Sequence, residues 1–258
     1  MKDLTLKSVT KLFSEKRNII FIPHSSPDAD ALGSCLALYH FFNQENEVNI
    51  ISPNEYTEIL NFLPGSENIL NYETDKEKCE SIFNKGNVIF TLDFNSLSRA
   101  RNLSSLISKS SATTIMIDHH ENPDNYADIT ISNSKMSSTC EMVYDFICSI
   151  DKSKIDNKIA TCIYTGIVAD TGSFRFPSTT SKTLMVGSEL INHGVNVTEI
   201  FEKLHNNFQF NRLKLLGSTI NNFCLLYTSP SPRDRQKWGL SGWGWKKKGG
   251  GGGGGGGG

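Results

Sequence analysis

The 258-residue sequence lacks several features that would place it in a special class of protein. No apolar run approaches the roughly 20 residues of a membrane-spanning helix, so we expect no membrane partner. The N-terminal stretch MKDLTLKSVTKLF has no signal-peptide apolar core, and a cytoplasmic protein is therefore expected. The six cysteines include no C-x-x-C pair, and we expect free thiols in a reducing compartment.

Strong net charge is also absent, although the charge is unevenly distributed along the chain. Hydrophobic residues make up 38% and charged residues 21%, which excludes a disordered chain, a collagen and a coiled coil. The chain carries −1 overall, and residues 225–258 contribute six Lys or Arg against one Asp, so residues 1–224 carry −6. An acidic body argues against binding of long duplex nucleic acid, which needs a basic surface.

Residues 225–258 differ from the rest in composition. They hold all three tryptophans and end in ten consecutive glycines. Polyglycine cannot bury apolar surface to offset its loss of backbone entropy. We interpret TSPSPRD followed by polyglycine as translated adapter and homopolymer sequence, with native protein ending near Phe223 or Cys224. The alternative is a basic, aromatic arm that binds nucleic acid.

Short apolar runs alternate with helical patterns along the remaining chain. The runs that predict buried strands are NIIFIP (18–23), EVNIIS (47–52), VIFTLD (88–93) and TTIMID (113–118). Helices are predicted for ALGSCLALYHFF, SLSRARNLSSLISK, CEMVYDFICSI after a capping box at 138–141, KIATCIYTGIVAD (158–170), 180–192 and 197–216. Strands that alternate with helices predict an α/β fold: a doubly wound, mainly parallel sheet flanked by helices.

Acidic and imidazole side chains follow three of these predicted strands. The candidates are His24, Asp28, Asp30, Asp93, Asp118, His119 and His120, and Asp170 at the end of a predicted helix would complete the set. Each fragment alone also fits a helix cap or a polar turn. Together they fall at equivalent positions, because ligands bind beyond the carboxyl ends of parallel strands. So many carboxylates repel one another unless a cation lies between them, and two ions that share a carboxylate would use all of them.

Four segments, in order, resemble motifs of the DHH phosphoesterase superfamily. They are HSSPDADALGS (24–34), TLDFNSLSRAR (91–101), IDHHENPD (117–124) and YTGIVADTGSFRFPSTT (164–180). SSTCEMVYDF and the last of these segments resemble motifs of one branch of the superfamily. That branch consists of bifunctional oligoribonucleases (nanoRNases) and 3′-phosphoadenosine-5′-phosphate (pAp) phosphatases. The resemblance runs from about residue 18 to about residue 220, and it implies hydrolysis of short RNA oligonucleotides and pAp by metal-activated water.

The resemblance also implies roles for individual residues. Two divalent ions are expected, Mn²⁺ in the first place, with Mg²⁺ or Co²⁺ as alternatives. One ion would be held by His24, Asp28 and Asp93, and the other by Asp30, Asp93, His119 and Asp170. His120 would face the scissile phosphate, to hydrogen-bond an oxygen or protonate the leaving group, and Asp118 would orient a histidine.

Three further groups are candidates for binding substrate. Arg99 and Arg101 follow Asp93 in the second motif, and one of their two guanidinium groups would contact a substrate phosphate, although a surface salt bridge is equally compatible. Ser34 would contact phosphate, or serve only as a small residue at a helix–sheet contact. Arg175, in the segment after Asp170, would line the substrate cleft.

The expected domains are a DHH catalytic domain (1–196), a linker helix with the start of a truncated DHH-associated domain (197–224), and the non-native tail (225–258). The family's second domain bears a glycine-rich motif that holds the far end of the substrate, and no such motif occurs here. We therefore expect that the chain as given binds metal but hydrolyses short oligoribonucleotides poorly. A homodimer is one candidate oligomeric state. The alternative functions are a cyclic- or linear-dinucleotide phosphodiesterase, a type II inorganic pyrophosphatase-like hydrolase, and a non-catalytic nucleotide- or RNA-binding module.

Overall fold

The computed structural model of the chain describes residues 12–13, 15–205 and 210–221. The chain divides into two compact units, residues 1–207 and residues 208–258. The first unit contains the sheet and the candidate site. The described part of the second unit is a single helix. The segment interpreted above as a non-native tail lies outside the described residues, and the domain boundaries given above stay predictions.

A six-stranded parallel sheet forms the centre of the first unit. Its strands are β1 (Asn18–Pro23), β2 (Glu47–Ser52), β3 (Ile69–Asn71), β4 (Val88–Leu92), β5 (Thr113–Asp118) and β6 (Ile129–Ser132). Their order is β3-β2-β1-β4-β5-β6, and every neighbouring pair is parallel. The chain winds outward in both directions from β1 and β4. The predicted α/β class with a doubly wound, mainly parallel sheet is therefore confirmed.

Helices cover both faces of the sheet. They are α1 (Ala29–Phe42), α2 (Lys76–Lys85), α3 (Ser104–Lys109), α4 (Thr139–Asp151), α5 (Asn157–Asp170), α6 (Ser181–Asn192) and α7 (Val197–His205), and α8 (Phe210–Asn221) belongs to the second unit. Shorter 3₁₀ turns occupy Glu58–Phe62, Ser66–Asn68, Leu97–Leu103 and Lys152–Lys154. Among the described helices, none is both long and apolar enough to cross a bilayer.

Two hydrophobic cores lie on opposite faces of the sheet. Ile19 and Phe21 of β1 point into the larger core with α1, α4 and α5. Ile20 and Ile22 of the same strand point into the smaller core, with residues of α2 and α3. Because both faces are buried, a central parallel strand is apolar at every position, as the runs in the sequence indicated.

Glycines allow α1, α4 and α5 to approach one another closely. A Cβ at Gly33 of α1 would lie 2.5 Å from the carbonyl oxygen of Cys162 in α5. A Cβ at Gly166 of α5 would overlap the Sγ of Cys140 in α4 and lie 2.8 Å from Oδ1 of Asp30. These contacts hold α1 and α5, which carry the candidate residues Asp30 and Asp170, close to each other and to α4.

One helical prediction needs correction, and another stays a prediction. Residues 197–216 were expected to form one helix; the structure describes α7 and α8 there, and residues 206–209 between them lie outside the described residues. The SLSRARNLSSLISK segment is not one α-helix. It is a 3₁₀ turn followed by the short α3, with a break at Arg101, whose backbone has φ 46° and ψ −121°. The five described cysteines are free as expected, and Cys224 is outside the described residues.

Candidate functional site

The candidate residues gather where the sheet changes its winding direction. His24 directly follows β1, Asp93 directly follows β4, and Asp118 ends β5 just before His119 and His120. β1 and β4 are neighbours, yet their following helices diverge, which leaves a crevice at their carboxyl ends. This topology explains why residues that are distant in sequence converge.

Asp93 lies at the centre of the cluster. It is 3% exposed, and its φ of 65° is in the left-handed region, where the chain turns sharply after β4. Its Oδ2 is 3.5 Å from Nε2 of His24, and its Oδ1 is 3.6 Å from Nε2 of His119. One carboxylate therefore faces two groups of ligands, one on each side.

The first group consists of His24, Asp28 and Asp93, whose ligand atoms lie within 4.8 Å of one another. Asp28 caps α1: its Oδ1 accepts hydrogen bonds from the amides of Asp30 and Ala31, both at 3.0 Å. Its Oδ2 remains 3.7 Å from Nε2 of His24. The carbonyl oxygen of Ser25 lies 2.8 Å from Nδ1 of His24, so a proton on Nδ1 would leave Nε2 free to act as a ligand.

The second group consists of Asp30, His119 and Asp170, again within 4.8 Å. Asp30 is buried at the N-terminus of α4, where its two oxygens accept from the amides of Thr139 (2.7 Å) and Cys140 (2.8 Å). Asp170, at the end of α5, places Oδ2 3.2 Å from Nε2 of His119. The other nitrogen of His119 is 3.3 Å from the carbonyl oxygen of Met136.

The cluster carries more negative charge than its surroundings stabilise. Burial and the neighbouring charges of Asp93 and Asp170 raise the pKa of Asp30 well above its usual value. Burial also raises the pKa of Asp170 to about 6, with Asp93 and Asp28 adding to it against the opposing effect of His119. Burial lowers the pKa of His24, but hydrogen bonds to Asp28 and Asp93 outweigh it and raise that pKa to about 10. The raised pKa values favour the protonated forms of His24, Asp30 and Asp170, and a bound cation would compensate the same negative charge.

His120 is held from both sides of its ring. Its Nδ1 donates to Oδ1 of Asp118 at 2.7 Å, and its backbone amide donates to the other oxygen at 3.1 Å. Nη1 of Arg99 lies 3.0 Å from Nε2 of His120. An arginine N–H can only donate, so Nε2 accepts and the neutral ring carries its proton on Nδ1. Asp118, fully buried, orients this histidine.

The structure does not support all three candidates for binding substrate. Arg99 reaches the cluster through His120. Ser34 does not: it has no exposed surface, and its hydroxyl donates to the carbonyl of Ala31 at 2.9 Å. The expectation of a phosphate contact is thus corrected to a packing role. Arg175 is exposed in the turn after α5, where its Nε donates to the carbonyl of Gly172 at 2.7 Å.

Thr139 also contacts the site, although no motif in the sequence indicated it. Its amide donates to Asp30, and its hydroxyl donates to Oδ1 of Asp93 at 2.9 Å. The sequence signal was SSTCE, which predicts only that a helix begins here. That this helix end points at two carboxylates depends on the packing of α4 against α1 and α5.

A groove of about 430 Å³ opens beside His120. It is lined by residues 120–123, which follow β5, and by residues 132–135, at the end of β6. The groove places open space next to the histidine that contacts Arg99.

Comparison with known proteins gives a consistent set of relatives. Residues 18–167 match the family model described as DHH family, N-terminal domain. The bifunctional oligoribonuclease and PAP phosphatase NrnA of Bacillus subtilis (strain 168) is 33% identical over 210 residues, which cover 80% of this chain and 63% of the relative. The protein of the same name from Thermus thermophilus is 29% identical over 226 residues, covering 84% of this chain and 64% of the relative.

One solved protein structure matches this chain over a larger share of its own length than the two NrnA relatives do. The crystal structure of an exopolyphosphatase-related protein from Bacteroides fragilis has a TM-score of 0.84 at 35% identity, covering 92% of this chain and 73% of that protein. The chain spans less than two thirds of the length of the curated NrnA relatives it matches.

Proposed function

The chain belongs to the DHH family, and from this premise we propose that it is a metal-dependent phosphoesterase that hydrolyses short oligoribonucleotides and pAp. The observation that carries the proposal is the position of Asp93 between two His–Asp groups. The substrates come from the names of the relatives, of which the chain spans less than two thirds.

The donor atoms fit two divalent ions. Carboxylate oxygens and imidazole nitrogens suit Mn²⁺, Mg²⁺ and Co²⁺, and the ligand groups found among the described residues contain no thiolate that would favour a structural zinc site. We assign one ion to His24, Asp28 and Asp93, and the other to Asp30, Asp93, His119 and Asp170. The raised carboxyl pKa values support this assignment, because two cations would neutralise the charge that burial leaves unbalanced.

The chain's own residues then have distinct tasks. When bound, the ions supply a water of lowered pKa and offset the charge of the phosphate. Asp118 fixes the ring of His120 and stabilises it when it is charged. A phosphate oxygen would attract the guanidinium of Arg99 away from Nε2 of His120. Once protonated, Nε2 would donate a hydrogen bond to a phosphate oxygen or transfer its proton to the leaving oxygen.

The decisive experiment compares four substrates with the purified chain in Mn²⁺ and after EDTA treatment: pAp, a diribonucleotide, pyrophosphate and polyphosphate. We expect Mn²⁺-dependent release of product from the first two. Turnover of pyrophosphate alone would favour a pyrophosphatase. Turnover of polyphosphate alone would favour the chemistry named for the Bacteroides fragilis protein. Binding of pAp or RNA without any turnover would favour a binding module.

The bridging role of Asp93 gives a sharper test. Asp93→Asn keeps the size of the side chain and removes its charge, so we expect hydrolysis to fall to background and calorimetric Mn²⁺ binding to weaken. Asp124→Asn is the matched control, since Asp124 is exposed and outside the ligand groups. Retained hydrolysis in Asp93→Asn would contradict the assignment.

A further inference from the structure

A second concave site lies away from the ligand cluster, at the same edge of the sheet. This pocket has a volume of about 690 Å³, within the roughly 300–1,000 Å³ typical of small-molecule sites. Its lining residues are Tyr72, Glu73, Lys76, Arg101, Asn102, Ser104 and Ser105. They come from the connections that follow β3 and β4, so the pocket also opens at the carboxyl ends of the strands.

Arg101 occupies a backbone position that suits glycine. Its φ of 46° and ψ of −121° are unfavourable for a residue with a Cβ. The side chain is exposed, and its guanidinium has no hydrogen-bond or ion-pair partner among the residues that the structure describes. Within the described part of the chain, no contact of the guanidinium therefore compensates for the backbone strain at Arg101. The strained position instead places a guanidinium at the wall of the pocket.

The polar groups of the pocket match an anion. Arg101 and Lys76 supply two cations, and the side-chain amide of Asn102 supplies a neutral donor. The hydroxyls of Ser104 and Ser105 already donate to the carbonyl oxygens of Arg101 and Asn102. Lys76 is only loosely paired, 3.9 Å from Glu80. Glu73 is the one acidic residue among the described residues of the lining. With two cations and one carboxylate, the lining carries a net charge of +1 in a body with a net charge of −6 over residues 1–224. The planar guanidinium binds phosphate in a two-pronged fashion.

The pocket is connected to the cluster through a short stretch of chain. Arg99 contacts His120 with Nη1, and its carbonyl oxygen accepts from the amide of Ser25 at 2.8 Å. Arg101 is two residues further, which corresponds to at most about 7 Å of backbone. We propose that this pocket binds a second phosphate group of the substrate while the cluster holds the phosphate that is cleaved. The proposal rests on the proposed function for the identity of the substrate.

Arg101→Gly is the central variant, because glycine adopts the observed φ without strain and the guanidinium is lost. We expect KM for pAp to rise about tenfold with kcat changed less than twofold. For 3′-AMP and 5′-AMP, which carry one phosphate each, kcat/KM should change less than twofold. Thermal stability should not fall, and Arg101→Lys should recover part of the affinity. A merely structural role would instead lower stability and impair all three substrates.

Removal of the negative charge at the pocket should change KM in the opposite direction to Arg101→Gly. Glu73→Gln removes the acidic group of the lining and should lower KM for pAp, whereas Lys78→Ala, at an exposed lysine of α2 outside the pocket, should leave it unchanged. Equal KM values for Arg101→Gly, Glu73→Gln and the unchanged chain would overturn the proposal.

A binding measurement separates this proposal from the proposed function. The affinity for pAp is measured by equilibrium dialysis in Asp93→Asn and in Asp93→Asn combined with Arg101→Gly. A tenfold loss in the double variant supports the pocket even if the unaltered chain hydrolyses nothing. Equal affinities overturn it even if hydrolysis is confirmed.

Discussion

Thr139 joins the two ligand groups at the scale of a single residue. Its amide donates to Asp30, a member of the second group, and its hydroxyl donates to Asp93, the proposed bridge between the two ions. The residue is fully buried, so its rotamer is fixed by packing. Hydrogen bonds from such neighbours orient metal-binding carboxylates and tune their affinity.

Removal of the Thr139 hydroxyl should weaken metal binding without changing the fold. Thr139→Val keeps the branched shape and the amide but deprives Oδ1 of Asp93 of its donor. We expect Mn²⁺ affinity, measured by isothermal titration calorimetry, to fall about tenfold, the lower end for such outer-layer contacts. Thr139→Ser retains a hydroxyl and should stay within about threefold of the unaltered chain. Unchanged affinity in Thr139→Val would show that the contact is incidental.

Sequence patterns located the acidic and imidazole residues of the site but not the orientation of their neighbours. His24, Asp93 and His119 follow apolar strands, and the parallel topology brings such positions together. Ser34 was misjudged because it lies one helical turn after Asp30, on the same face of α1. That face packs against α4 and α5, so a hydroxyl there is buried. The packing of helix faces is a tertiary property that the motif does not contain.

At the scale of elements, the close crossing of α1 and α5 positions the two carboxylates at their ends. Gly33 lies against the carbonyl of Cys162, a backbone atom that cannot rotate away. In an isolated helix, alanine is about 1 kcal/mol better than glycine. Here the added methyl group would force the helices apart, and such overpacking costs about 1–3 kcal/mol.

Gly33→Ala should therefore destabilise the chain and disturb the site together. We expect a lower midpoint in urea unfolding and weaker Mn²⁺ binding, because α1 begins at Asp28 and Asp30. Gly217→Ala is the matched control: Gly217 is within α8, and a methyl group added there would meet no described atom within 4 Å, so helix propensity alone acts. A stabilised Gly33→Ala variant would contradict the close crossing.

The strands differ in how clearly the sequence predicted them. The bounds of β1, β2 and β5 were predicted residue for residue, and β4 ends one residue earlier than expected. β3 and β6 were missed: they are the edge strands, three and four residues long, and neither is buried at every position. The capping box at α4 is half formed. Ser138 caps Glu141 as expected, but the carboxylate of Glu141 accepts from Ser137 and Thr183 instead.

At the scale of the whole molecule, the cluster draws on segments from residue 24 to residue 170. Burial raises the pKa values of Asp30 and Asp170, and repulsion from neighbouring carboxylates, Asp93 among them, adds to it. Without a cation, both effects oppose the approach of β4, α1 and α5. An ion bound there stabilises only the folded chain. Metal binding should therefore raise the stability of the first unit as a whole, not of one loop.

Thermal unfolding in excess Mn²⁺ and in EDTA measures this coupling. Saturation of one site at 100 times its Kd adds about 2.7 kcal/mol. For a unit of this size, about 2–4 °C per kcal/mol gives a rise in Tm of roughly 5–10 °C, and more if two ions bind. Asp93→Asn should lose most of the rise, whereas Glu202→Gln, at an exposed position of α7, should keep all of it. An equal rise in Tm for both variants would mean that the ion binds elsewhere. In the proposed site, the carboxylate of Asp93 belongs to both ligand sets, so its loss should weaken the binding of each ion.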